Sequence, residues 1–228
     1  MCGIVGLFFK DRALDQQLGQ LLSQMLITMS ERGPDSAGIA IYGESTKKES
    51  KITVQSSNHT EDFDALENIC KQEAWNNVRL CRKDNHAVIR TDTVHLNDIL
   101  YYTKNYMPNL RIMSVGDSVE IYKETGLPAE VIKRFSINHM SGTHGIGHTR
   151  MATESAVTTL GAHPFSTAPD QCLVHNGSLS NHNNLRRDLI REGINIETDN
   201  DSEIAAAYLT NRMAKGTSLR NALEESLN

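Results

Sequence analysis

The chain opens Met1-Cys2-Gly3-Ile4-Val5-Gly6, with a cysteine set directly against an apolar run. Met1 is followed by a small residue, and its removal would leave Cys2 with both a thiol and a free α-amine. The thiolate is the reactive form of cysteine, and a nearby base makes it available. An α-amine titrates at about 7.7–8.0, so it takes up a proton near neutral pH. One residue then serves as nucleophile and base, as a terminal threonine does. The competing reading is a buried cysteine heading an apolar strand, the commoner fate of a free cysteine. Taken alone, Cys2 favours burial; the rest of the chain favours the nucleophile.

The 228 residues suffice for one large domain or two small ones, and 39% hydrophobic with 22% charged is ordinary for a globular protein. No apolar run reaches membrane-spanning length, and the start lacks the basic and apolar regions of a secretory signal. A cytoplasmic chain with no membrane partner is expected. The net charge of −5 comes without a dense basic stripe, which argues against a nucleic-acid partner. Cys2, Cys70, Cys81 and Cys172 lie far apart without a CxxC pair and read as reduced thiols.

Residues 3–9 read as a buried strand. Leu14, Leu18, Leu21, Leu22, Met25, Leu26 and Met29 recur at helical spacing and predict a helix over 12–30. It ends before Gly33-Pro34. Ala37 to Tyr42 reads as a second strand. Strands near 52–56, 86–91 and 110–115 alternate with helices near 62–72, 93–105 and 128–135, an α+β insertion over about 51–142 with its own small core. Strands near 145–150 and 171–175 follow, then helices over 181–192 and 202–215 and a last one from Ser218.

Five separated segments share an unusual chemistry: Cys2-Gly3-Ile4-Val5-Gly6, Arg32 to Gly38 (RGPDSAG), Gly147 to Thr153 (GHTRMAT), His175-Asn176-Gly177 and Asp201-Ser202-Glu203. Each is weak alone. Together, in this order, they resemble the class II glutamine amidotransferases, across nearly the whole chain outside the insertion. The resemblance implies an α+β fold: the four-layer αββα sandwich of the N-terminal-nucleophile hydrolases. In that class further strands complete the sandwich, so 1–228 is read as one domain incomplete at its C-terminus, with apolar surface and unpaired strand edges left open.

The resemblance assigns roles, and elementary chemistry supports them. Attack of the Cys2 sulfur on the glutamine side-chain amide creates an oxyanion, which needs preplaced donors. The family uses an Asn-Gly pair there: the Asn176 side-chain amide and the Gly177 backbone N–H. Asn-Gly is also the strongest hairpin signal, and a turn presents donors well. Glutamine is a zwitterion, so Arg150 suits its α-carboxylate through a two-bond fork and Asp201 its α-ammonium. Asp201 also reads as a helix N-cap and Arg150 as a surface ion pair. Arg32 resembles the family arginine beside the nucleophile, and Thr153 and His163 fall at positions used around the glutamine pocket. His144 and His148 share a strand face, but no carboxylate or cysteine completes a ligand set, so no metal is expected.

Within the class, Glu31 to Gly43, Ser141 to Thr159 and Asp170 to His182 are similar to the GlxB-type amidotransferases. These are separate subunits that accompany glutamate-synthase-like subunits, as in N-methylglutamate synthase. The resemblance implies a hetero-oligomer in which ammonia passes to a synthase subunit carrying flavin mononucleotide and an iron–sulfur cluster, with no cofactor in this chain. Hydrolysis of γ-glutamylmethylamide with transfer of methylamine is an equal variant, since one methyl shifts binding by only about 1–3 kcal/mol. A non-catalytic assembly or regulatory subunit is a second class of reading. A peptide-cleaving hydrolase of the same fold is a third, ranked below because Arg150 with Asp201 points to a free amino acid.

Overall fold

The computed structural model describes residues 2–72, 75, 77–152 and 156–226. Its central sheet is antiparallel, in the order β1 (Gly3–Phe8), β8 (His144–Arg150), β2 (Ser36–Tyr42), β7 (Val119–Thr125). Alternation along β2 sorts side chains to two faces. Ala37, Ile39 and Ile41 join Val5 and Tyr122 against α1 (Leu18–Thr28) and α4 (Pro128–Phe135), where Leu18, Leu22, Leu26, Val131, Ile132 and Phe135 complete the main core. Ala40, Val119 and Ile121 face the other way and pack with Met113, Leu160 and Cys172.

On that second face lies a two-stranded hairpin, β9 (Phe165–Ala168) with β10 (Gln171–Leu173). Helix α6 (Asp201–Ala214) covers it, and α5 (His182–Arg191) packs on α6 through Leu185, Leu189, Ile204 and Ala207. The αββα order expected from the sequence is present, with a short second β layer. Next to the hairpin, the face of β1 is open: Ile4 is 43% and Phe8 72% exposed. A short helix α7 (Leu219–Glu225) follows α6. No helix among the described residues is long and apolar enough to cross a membrane.

A separate antiparallel sheet runs β4 (Arg79–Lys83), β5 (His86–Asp92), β3 (Glu49–Gln55), β6 (Arg111–Gly116). Helices α2 (His59–Gln72) and α3 (Leu96–Tyr106) close its core through Phe63, Leu66 and Ile99 on Ile52, Val54, Ala87 and Ile89. This unit covers 49–116, less than the 51–142 read from sequence. Residues 119–125 instead form the edge of the central sheet, paired residue for residue with β2, and α4 packs on α1. The two sheets meet through apolar contacts, Met113 of β6 on Val119 and Ile121, and through polar ones: Lys51 and Arg90 reach Glu120 at 3.0 and 2.8 Å.

Candidate active site

Strand register brings the sequence segments together. Gly3 lies opposite Thr149, and Ser36 opposite Arg150, so Cys2, Arg150 and the RGPDSAG segment share one end of the central sheet. The His175-Asn176-Gly177 segment follows β10 to the same end, and α6 starts there with Asp201. A cleft of about 520 Å³ results, lined by Cys2, Arg150, His163, Asn176, Gly177 and Asp201, with His175 and Asn200 beside them. A second cleft of about 520 Å³, between β6, β9 and α6, holds none of the expected site residues.

The Cys2 backbone is held from two sides. Asn176 Nδ2 donates to its carbonyl at 3.1 Å and Arg32 Nε at 3.3 Å, so the arginine meets the backbone of Cys2. The Cys2 sulfur lies 3.9 Å from the Met151 carbonyl. Arg150 is buried at the end of β8, and its Nη1 donates to the Ala156 carbonyl at 3.2 Å. It is therefore not at the surface, where the sequence also allowed it. Asp35, unassigned in the sequence reading although within RGPDSAG, fixes the chain beyond Arg150: its N–H donates to Arg150 O at 3.0 Å, and its Oδ2 accepts from Ala152 N at 2.7 Å.

Asp201 is the first residue of α6 and not its cap. The cap is Asn200, whose Oδ1 accepts from Ser202 N at 2.9 Å. Asp201 Oδ2 accepts from Leu179 N at 2.8 Å, while its Oδ1 lies 4.0 Å from His175 Nδ1. A carboxylate at a helix N-terminus is stabilised there and still faces the cleft. The sequence reading quoted His175 without a role; it bridges the two halves of the site. Its ring reaches Ser202 Oγ at 3.2 Å, and its carbonyl lies 3.0 Å from His148 Nε2. Since a carbonyl only accepts, His148 carries its proton on Nε2.

His163 stacks on His148 at 4.0 Å between ring centroids and meets Phe165 edge-on at 4.9 Å. Burial keeps both rings neutral, pushing His148 down to about 4 and His163 down to about 2. Among the described residues, neither buried ring nitrogen of His163 has a hydrogen-bond partner. His144 is elsewhere, stacked on Tyr42 at 4.2 Å, and among the described residues no three His, Cys, Asp or Glu side chains gather as a metal site. Thr153 lies outside the described residues.

Comparison with known proteins gives the family. The profile described as "Glutamine amidotransferase domain" matches residues 136–222. The chain is 62% identical over 227 residues to the glutamine amidotransferase-like protein GlxB of Rhizobium meliloti, covering 100% of this chain and 75% of that one. It is 35% identical over 94 residues to the isomerizing glutamine–fructose-6-phosphate aminotransferase of Methanococcus maripaludis, covering 41% of this chain and 16% of that one. Among solved structures, that of the allosteric regulatory enzyme of purine biosynthesis superposes with a TM-score of 0.56 over 98% of this chain, at 17% identity, and this chain spans 32% of its length. That likeness concerns the fold.

Proposed function

Because the chain belongs to the glutamine amidotransferase family, we propose that its Cys2 hydrolyses the side-chain amide of glutamine through a γ-glutamyl thioester. One observation carries the reading: Cys2, Asn176, Gly177, Arg150 and Asp201, from distant parts of the sequence, line one cleft. Arg150 and Asp201 offer opposite charges for the two ends of a free amino acid.

The steps follow from the chemistry of these groups. After removal of Met1, the α-amine of Cys2 takes the thiol proton, and the sulfur bonds to the amide carbon. Asn176 and the Gly177 N–H stabilise the resulting oxyanion. The amine returns its proton to the departing nitrogen, and ammonia leaves. Water then attacks the thioester with the same amine as base, giving glutamate and free Cys2.

The proposed destination of the ammonia is a glutamate-synthase-like subunit in a hetero-oligomer, as in N-methylglutamate synthase. This rests on the similarity to GlxB-type subunits. Flavin mononucleotide and an iron–sulfur cluster belong to that partner in this reading. Among the described residues no three His, Cys, Asp or Glu side chains gather as the ligands of such a cluster would.

Alkylation by a glutamine-mimicking diazoketone, read by intact mass and peptide mapping, tests the site. Loss of Met1 with a single adduct on Cys2, blocked by excess glutamine, is the expected result. An unmodified Cys2 would sink the catalytic reading in favour of an assembly or regulatory subunit. Rates on glutamine and γ-glutamylmethylamide, measured with the synthase partner, decide between ammonia and methylamine as the transferred amine.

A further inference from the structure

The turn at residues 158–164 touches both charged ends of the cleft. Asn200 Nδ2 donates to Gly161 O at 3.1 Å, and Asn200 caps the helix that Asp201 opens. Gly161 also lies beside the arginine: a methyl group on its Cα would make ordinary contact with Arg150 Nη1, at 3.6 Å. Just upstream, Ala156 O accepts from the same guanidinium. At the other end of the turn, His163 lines the cleft. The separation of Arg150 from Asp201 therefore depends on where this turn sits.

Two consecutive residues of the edge strand β7 hold it from behind. Lys123 and Glu124 are 4% and 5% exposed, a rare state for charged residues. An ammonium has three donors, and Lys123 Nζ places them on the carbonyls of Leu160, Ala162 and Pro164, at 3.0, 2.8 and 3.3 Å. The ammonium also lies 4.6 Å from the centre of the Phe165 ring. Glu124 Oε1 accepts from the Thr159 hydroxyl, while its Oε2 accepts from Asn85 Nδ2 at 2.5 Å, at the turn between β4 and β5. Adjacent strand residues point to opposite faces, so the turn is gripped on both sides of β7. Burying a lysine is a costly way to gain stability. What it supplies is a fixed direction for three carbonyls.

We propose that Lys123 and Glu124 are positioning residues for the amino-acid end of the substrate: they set the 158–164 turn and, through it, the spacing of Arg150 and Asp201. The inference rests on reading the cleft as a glutamine site. Cys2 is held by separate bonds from Asn176 and Arg32, so loosening the turn weakens binding and spares the chemical step. Loss of uniform binding raises KM and leaves kcat unchanged.

Lys123→Met removes the three donors, and Thr159→Val removes the hydroxyl that Glu124 holds. Both are made in the full chain and assayed for glutamine hydrolysis and for diazoketone alkylation of Cys2. In each, KM for glutamine rises about ten-fold while kcat stays within about two-fold of the parent. An unchanged KM in both variants, or a fall in kcat at constant KM, overturns the proposal. Should Lys123→Met fail to fold, Thr159→Val alone decides. If the parent chain gives neither turnover nor glutamine-protected alkylation, the glutamine reading fails and this inference falls with it. If the parent behaves as expected and the variants match it, only the positioning role is lost.

Discussion

Asn176 Nδ2 donates to the carbonyl oxygen of Cys2 at 3.1 Å. A side-chain amide has two N–H hydrogens. One is engaged with the backbone of Cys2, and in the proposed mechanism the other serves charge developing in the cleft. The proposed oxyanion donor is thus placed by the residue that creates the oxyanion.

Asn176→Asp replaces that donor by an acceptor facing a carbonyl. Its kcat for glutamine falls about 10²–10³-fold, the usual cost of one oxyanion donor, with a smaller change in KM. Ammonia release under steady-state conditions checks this, and a kcat within about three-fold of the parent would remove Asn176 from the mechanism.

Arg150→Lys keeps the charge and loses the planar fork that matches a carboxylate. Asp201→Asn removes the charge proposed for the α-ammonium. Each raises KM for glutamine by about ten-fold or more, and each weakens glutamine protection of Cys2 against alkylation. Full protection at the parent's glutamine concentration would refute the assignment for that residue.

Acid destabilises this fold through its buried imidazoles. Burial pushes His86 down to about 3, His148 to about 4 and His163 to about 2, all from an ordinary value near 6.5. Below pH 6.5 the unfolded chain binds protons that the folded chain refuses. Stability therefore falls as pH drops from about 6.5 towards 4, with each histidine adding up to about 1.4 kcal/mol per pH unit. His86 lies outside the cleft, 4.8 Å from the Phe135 ring, so His86→Phe flattens the dependence of the urea midpoint between pH 6.5 and 4.5. An unchanged slope would mean that other groups drive the acid response.

Gly38 sits in β2 where the chain crosses beneath His163. A methyl group on its Cα would approach His163 O to 2.1 Å and Lys123 Cβ to 2.5 Å. Backbone cannot yield as a flexible side chain does, so Gly38→Ala costs about 1–3 kcal/mol or more. Chemical denaturation measures this, and a loss below about 0.5 kcal/mol would show that the sheet and the His163 segment slide apart freely.

Much of this architecture was legible in sequence because its signals are local. The apolar stripe gave α1, although Arg12–Gln17 winds as a 3₁₀ segment ahead of Leu18–Thr28. The helix expected near 128–135 is α4, with Pro128 as its first residue. Strand β7 was missed because Glu120, Lys123 and Glu124 make it look solvated; their burial rests on Lys51, Arg90, Asn85 and the 158–164 turn, all remote in sequence. The same blindness widened the expected insertion to residue 142. In the cleft, the motif residues were readable as types, but their connections were not. Asn200 rather than Asp201 caps α6, and no spacing rule reveals His163 against His148.

Among the described residues, the strand that begins beside Cys2 pairs with β8 alone, Gly3 facing Thr149 across the ladder. During synthesis that partner does not yet exist. At usual translation speeds roughly 7–30 s separate the emergence of the two strands. Throughout that interval the amino end lacks its strand partner, with only α1 and Arg32 among its later neighbours already made, and it is open to the aminopeptidase that would uncover the reactive amine. Closing so distant a contact is slow and late. In the proposed mechanism, trimming of Met1 would then precede enclosure of the amino end by β8.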